Sequence, residues 1–476
     1  MRKLDGDVAQ RPQFYPDVVA VDNPFPVPDN GKFQTWYYWD TYWVLKGILE
    51  NYASVVRKLG FIPNSGALKH SWRSQPPLFV QMVADYYDAT NDTELVGRLF
   101  HEMEKELQFW ADNRSITVDG RILFQYRVPT SCPRPESYRF DVDAAKKSKN
   151  SPDFVYRNLA SACESGVDFS SRWFNYTGDE SGSRSDIFIT ELIPVDLNAF
   201  LCMNYATMAK FAKILGDKDK SATFQRLRND LAAAIDAVLW NDEAGSYFDY
   251  HIPTRKHRTR FYPTNVAPLF ANCVVKPEAK LGRIASYLES SGALQYPGGI
   301  PSSLVPSKEQ WDFPNGWAPH NHLFILALRN SGDAKLKEIA RATAQKWLST
   351  NFLGLMDPPS GQESGMWEKY DVTKDDGSVG RGGEYKVQQG FGWTNGAIVD
   401  LILLYGNELR APRKTAAIKR PKTAITMIAV LVFLAAVLTF FFYCHYRGKA
   451  RSRQLSRYRP LLRDPEEADD RENVIE

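Results

Sequence analysis

Two glutamates flanking a run of glycines, an aspartate set among aromatic rings, and arginines beside helix starts suit chemistry on a polyhydroxylated ligand. Asp40 lies inside YYWDTYW (residues 37–43). Arg73, Ser74 and Gln75 stand directly before Pro76 and Pro77, which suit the first turn of a helix. Residues 310–322, QWDFPNGWAPHNH, gather Trp, Asp, Asn and His ahead of another helical run. Residues 367–396 carry Glu368 and Glu384 on either side of GSVGRGG (377–383). Carboxylates and guanidiniums grip hydroxyl pairs with paired hydrogen bonds, and flat rings give a sugar an apolar face. Any one segment reads better as surface ion pairs with packed aromatics, whereas four in one helical chain point to a carbohydrate site. The glycines permit the positive-φ conformations of a lid, against the plainer reading of a flexible connection.

Such loops need a scaffold, and its signal is helical. Leu197, Phe200, Leu201, Met208, Phe211 and Leu215 share one helical face, with Asp196 near its start and Gly216 at its end. Similar patterns cover about 40–58, 76–90, 94–113, 219–240, 278–290, 317–330, 334–350 and 393–406, while only 121–126 and 246–251 alternate as strands. This predicts a mainly α domain of about ten helices: a solenoid, a bundle or an α/α toroid. The chain shows no 34- or 40-residue period, which counts against a solenoid.

The loop motifs carry a resemblance. YYWDTYW and QWDFPNGWAP (310–319) are similar to the two signatures of the trehalase family, glycoside hydrolase family 37. FIPN (61–64), RSQPP, RPES (134–137), ESGVDFSSRW (164–173), VDLN (195–198), EKYDV and GGEY…GFGWTNG match further family segments in order, covering about residues 22–406. The resemblance implies an (α/α)6 toroid and inverting hydrolysis of α,α-trehalose to two glucose molecules. By position it implies Asp168 as general acid and Glu368 as general base. It also implies sugar binding by Lys32, Trp39, Asp40, Asn64, Arg73, Ser74, Gln75, Arg134, Glu136, Gly166 and Glu384. No metal or cofactor is required. Inversion asks for carboxyl groups about 6.5–9.5 Å apart, and the acid must keep its proton near neutrality, so Asp168 should have a raised pKa. Arg73 and Arg134 are expected to grip sugar hydroxyls, and one of them to restrain ionisation of the base.

The chain departs from the family pattern in four places. Lys32 replaces an arginine, losing the planar fork of a guanidinium. Val167 stands where the family commonly has Trp. About three helical turns are missing between Gly47 and Ile48, and the segment expected before the first signature, signal peptide included, is not visible. The expected toroid is therefore N-terminally incomplete, with neighbouring apolar faces uncovered. The alternative function is a catalytically impaired, truncated trehalase-like membrane protein.

Charge and hydropathy complete the reading. The net charge is +3, but thirteen basic and seven acidic residues lie from Ala411 onward, leaving 46 basic and 49 acidic before them. A basic nucleic-acid-binding face on the large domain finds no support in this distribution. Residues 424–444, AITMIAVLVFLAAVLTFFFYC, run 21 residues without a charge, enough to span a hydrocarbon core of ~30 Å. The expected organisation is an irregular segment (1–30), a catalytic domain (31–408), a basic juxtamembrane linker (409–423), a single membrane-spanning helix in contact with lipid (424–444) and a disordered tail (445–476). Sequons at Asn91, Asn113 and Asn175 favour a glycoprotein of type I topology with its catalytic domain outside the cell. Oligomeric state and cysteine pairing stay open.

Overall fold

The computed structural model describes residues 35–44, 49–175 and 182–412, with Val19, Val21, Phe25, Val27, Pro28, Lys32 and Phe33. The chain divides into two compact units, 1–412 and 413–476. The second, with the expected membrane span and tail, lies outside the described residues, as do residues 45–48 at the expected helical deletion. No helix among the described residues is long and apolar enough to cross a membrane.

Thirteen α-helices form the described unit: α1 (Tyr38–Val44), α2 (Leu49–Leu59), α3 (Phe79–Thr90), α4 (Thr93–Arg114), α5 (Tyr138–Lys147), α6 (Pro152–Glu164), α7 (Val195–Ile214), α8 (Lys218–Leu239), α9 (Ala267–Phe270), α10 (Leu281–Ser290), α11 (Ala318–Arg329), α12 (Ala334–Met356) and α13 (Gly392–Tyr405). They start where the chain supplies caps. Asp92, Ser151, Asp217 and Asp333 accept from backbone N–H groups of α4, α6, α8 and α12, satisfying donors that have no intrahelical partner.

The helices form pairs of unequal burial. In α7, 14 of 20 residues are buried, against 7 of 22 in its partner α8. In α11, 10 of 12 are buried, against 8 of 23 in its partner α12. An inner helix is enclosed on nearly every side and carries few polar positions. An outer helix buries one stripe and turns the rest to water. That alternation is the α/α toroid pattern.

Helices α5 and α6 escape the periodicity reading for a physical reason. α5 buries only Asp141 and Ala145, and the inward face of α6 includes Asn158, Ser161, Cys163 and Glu164. Their buried faces are chosen by polar partners and not by oil. The alternating stretches are short antiparallel ladders: β1 (Ser115–Val118) with β2 (Arg121–Phe124), and a small sheet joining β3 (Leu192–Ile193), β6 (Tyr250–His251) and β7 (Lys256–His257). β4 (Trp240–Asn241) pairs β5 (Ser246–Tyr247), and β8 (Asn315–Trp317) pairs β9 (Lys369–Asp371). Cys202 on α7 is disulfide-bonded to Cys273. Helix α13 packs on α1 yet leaves Val399, Ile402 and Leu403 exposed along one stripe, an apolar patch of the kind that favours association.

Candidate active site

The segment after α6 is held from three directions. Gly166 has φ +75°, and a Cβ there would sit 2.7 Å from the Trp39 ring, so glycine is required twice over. Glu164 accepts two bonds from Arg114 (2.8 and 2.7 Å) and one from the Ser74 N–H (3.0 Å), which ties residues 73–75 to the same segment. Beyond Asp168, whose peptide to Phe169 is cis, Ser170 and Ser171 donate to Asp312 (2.7–2.9 Å). Arg172 forks onto both Asp196 and Asp249 (2.7–3.0 Å). Asp312 is the aspartate of QWDFPNGWAP, so the residue conspicuous in the sequence supports the acid segment from behind.

Asp168 is half-buried. Burial pushes its carboxyl up to about 6, with the Arg134 and Arg73 guanidiniums opposing and Glu384 adding to the rise. The Cys163 thiol lies 3.5 Å from Asp168 Oδ2 and 2.8 Å from an Arg134 nitrogen. Arg134 clamps Asp141 with its side chain (3.0 and 2.7 Å), and Arg73 pairs with Glu136 at 2.5 Å. Burial alone would raise Glu136, but Arg73 and Arg134 outweigh it and hold that carboxyl below its ordinary value. Both arginines bear on Asp168.

Glu368 directly precedes β9 and is 1% exposed. The Tyr385 hydroxyl donates to one carboxylate oxygen (2.7 Å) and the Gln388 N–H to the other (3.3 Å). Its backbone is fixed by Gln388 (N–H to carbonyl, 3.0 Å) and by Trp393 Nε1 (3.3 Å). Burial, with Glu368 and Asp168 adding, pushes the Asp40 carboxyl well above its ordinary value. His70 bonds Ser65 (2.7 Å), and burial lowers it to about 3, so it stays neutral.

All but one of the thirteen sequence-expected site residues line a single cavity of about 460 Å³. The exception is Ser74. It is fully buried, donating its hydroxyl to the Ile62 carbonyl (2.7 Å) and its N–H to Glu164 (3.0 Å), so its expected sugar contact is corrected to a place behind the cavity wall. Asn64 and Gln75 reach the cavity while bracing it: Asn64 donates to the Cys163 carbonyl (3.1 Å), and Gln75 accepts from the Trp39 N–H (3.1 Å). Lys32 sits on the rim with its ammonium 3.5 Å from the Tyr385 ring centroid. Trp311 and Trp317 stack at 4.0 Å, with Trp39 and Trp393 against them, giving the cavity its flat apolar wall. Val167 is buried outside that wall.

Sequence reasoning missed Arg184, Cys163 and Tyr385. Arg184 pairs with Glu384 and, at 2.5–2.8 Å, with Glu309. It sits in the small polar stretch SGSRSD, which gives no signal, whereas Tyr385 stands inside a quoted motif. No cluster of three or more metal-ligating side chains occurs among the described residues.

A cavity in a helical toroid, with one carboxyl raised by burial and another accepting from O–H and N–H donors, is the kind of site found in the class of glycoside hydrolases. Residues 1–406 match the trehalase family, and the chain belongs to it. It is 38% identical to the trehalase of Apis mellifera over 436 residues, covering 87% of this chain and 68% of that one. Against the trehalase of Homo sapiens it is 38% identical over 448 residues, covering 90% and 75%. Its fold is shared with the neutral trehalase of Saccharomyces cerevisiae (TM-score 0.63, 23% identity, 80% of this chain and 73% of that one). It is also shared with a mannosylglycerate hydrolase of Thermus thermophilus (TM-score 0.54, 17% identity, 80% and 95%).

Proposed function

We propose that this chain cleaves α,α-trehalose with inversion, Asp168 acting as general acid and Glu368 as general base. Family membership assigns the overall reaction, hydrolysis of trehalose to glucose. Asp168 gives its proton to the bridging oxygen as the C–O bond breaks. Glu368 takes a proton from the water that attacks the anomeric carbon from the opposite face. The observation that carries this reading is the contrast between the two carboxyls in one cavity. Burial holds Asp168 near 6, while Glu368 accepts from Tyr385 and Gln388. A volume of about 460 Å³ falls in the range of small-ligand pockets. Lys32, Trp39, Asp40, Asn64, Arg73, Gln75, Arg134, Glu136, Gly166 and Glu384 form the sugar-binding wall, and residues 377–383 close over it as a lid.

Early product analysis by NMR tests the stereochemistry. One inverted and one retained centre give equal initial α- and β-glucose. All-α product removes the inverting assignment, and no product from folded protein removes the activity.

The proposed setting is a glycoprotein anchored by residues 424–444 with its catalytic unit outside the cell. The asparagines of all three sequons are exposed, and a disulfide joins Cys202 to Cys273, both in keeping with an oxidising compartment. Mass spectrometry of the secretory-pathway protein for glycans at Asn91, Asn113 and Asn175 checks this.

A further inference from the structure

Lys369 follows the base directly in sequence and is fully buried. Its ammonium donates to two neutral oxygens, Gln310 Oε1 at 3.2 Å and the Gly382 carbonyl at 3.0 Å, with the Trp317 ring 5.0 Å away. A buried ammonium held by neutral acceptors is costly, so what those acceptors belong to matters.

Gln310 leads to the acid, because its amide donates to the Asp168 carbonyl at 2.7 Å. Gly382 belongs to the Gly-rich loop. That loop is seated on the site by backbone bonds from Gly383 to Lys308 (3.2 Å) and from Gly380 to Lys369 (3.0 Å). The Asn315 side chain adds bonds to both backbone groups of Arg381 (2.7 and 2.8 Å). Gly382 and Gly383 have φ of +84° and +90°, and a Cβ at Gly383 would lie 2.7 Å from Gln310 Oε1. The loop therefore approaches Gln310 as closely as a backbone can, and it ends in Glu384 and Tyr385, the partners of Arg184 and Glu368. One ammonium thus meets the acid segment, the base strand and the loop.

We infer that Lys369 is a positioning residue, a latch that holds the Gly-rich loop closed and, through Gln310, couples that closure to the placement of Asp168. The carboxyl roles it serves are those of the proposed hydrolysis; the latch itself stands on the geometry. Two charged groups bear on it: Glu368, the residue before it, and Glu309, which is paired with Arg184, from the facing segment. Burial lowers the ammonium's proton affinity, with Glu368 and Glu309 opposing. Loss of the proton replaces charge-assisted bonds with the weaker ones of a neutral amine, so the latch should loosen at lower pH than that at which a surface lysine loses its proton.

Arg381 is exposed in the loop, so trypsin cleavage after it reports opening. In the full chain, cleavage at Arg381, normalised to a free peptide of the same sequence, should be slow near neutrality and rise between about pH 7 and 10. In Lys369→Met it should be fast, with no such rise, and kcat for trehalose should fall by on the order of tenfold. A natively helical K369M protein cut as slowly as wild type overturns the latch. If K369M does not fold, the wild-type profile decides, and a flat one overturns the proposal. Wild-type protein that opens with pH yet cleaves no trehalose leaves the latch standing and removes the hydrolytic reading, so the two can fail separately.

Discussion

The wall that carries Asp168 and the wall that carries Glu368 are built from different materials. Behind the acid stand buried ion pairs: Arg114 with Glu164, Arg134 with Asp141, and Arg172 with Asp196 and Asp249. Around the base stand a phenol, a backbone N–H and an indole, supplied by Tyr385, Gln388 and Trp393. The first set belongs to helix ends and the turns that join them. The second arrives on the segment that follows the Gly-rich loop. The proton affinity of Asp168 is therefore set by the scaffold, while the donors to Glu368 come from the segment that follows that loop.

The largest expected effect separates the two walls by chemistry. Asp168→Asn and Glu368→Gln should each lower kcat on trehalose by about 10²–10⁴-fold. With α-glucosyl fluoride, whose leaving group needs no proton, D168N should recover most of its rate and E368Q should not. Recovery of E368Q and not of D168N would reverse the roles assigned here.

Next comes the stability of the acid wall. Arg114→Met leaves Glu164 buried without its partner, a loss of about 3–5 kcal/mol, read from the denaturant midpoint. Tyr385→Phe removes a donor from the base wall and should leave that midpoint within about 1 kcal/mol of wild type. Equal destabilisation by the two would erase the contrast between the walls.

These differences also explain what was readable in the sequence. Helices such as α7 and α12 announce themselves because their buried faces are apolar. α5 does not, because its buried face is Asp141 clamping Arg134. The proposed catalytic pair and most of the proposed sugar wall sit in motifs, and the structure brings these residues together around one cavity. What stayed hidden depends on long-range pairing: Arg184 meets Glu309, 125 residues away, and Gln310 meets Asp168 across 142. Ser74 misleads for the opposite reason, since a motif position shows that a residue is needed but not which side of the wall it serves.

Tyr385→Phe sharpens the comparison a second way. Losing the O–H donor to Glu368 disfavours its ionised form, so the acidic limb of the kcat/KM profile should move to higher pH by about one unit. The alkaline limb, set by Asp168 near 6, should stay in place. Movement of both limbs together would mean that the walls share one electrostatic unit.

The smallest expected effect lies at Cys163, where the acid wall departs from its own rule. Its thiol is a neutral, weak donor among guanidiniums, and its contact with Asp168 lowers that carboxyl's proton affinity, though less than burial raises it. In Cys163→Ala that lowering is lost and the ionised acid is less favoured. The alkaline limb of kcat/KM should therefore move up by a few tenths of a pH unit, with the acidic limb unchanged. Cys163→Ser, which keeps a donor, should stay near wild type. Burial pushes the thiol itself up to about 12, so almost none is thiolate at neutral pH and iodoacetamide should leave activity intact. A downward shift of the alkaline limb in C163A would show that the thiol accepts from Arg134 more than it donates to Asp168, and that the acid is governed by the guanidiniums alone.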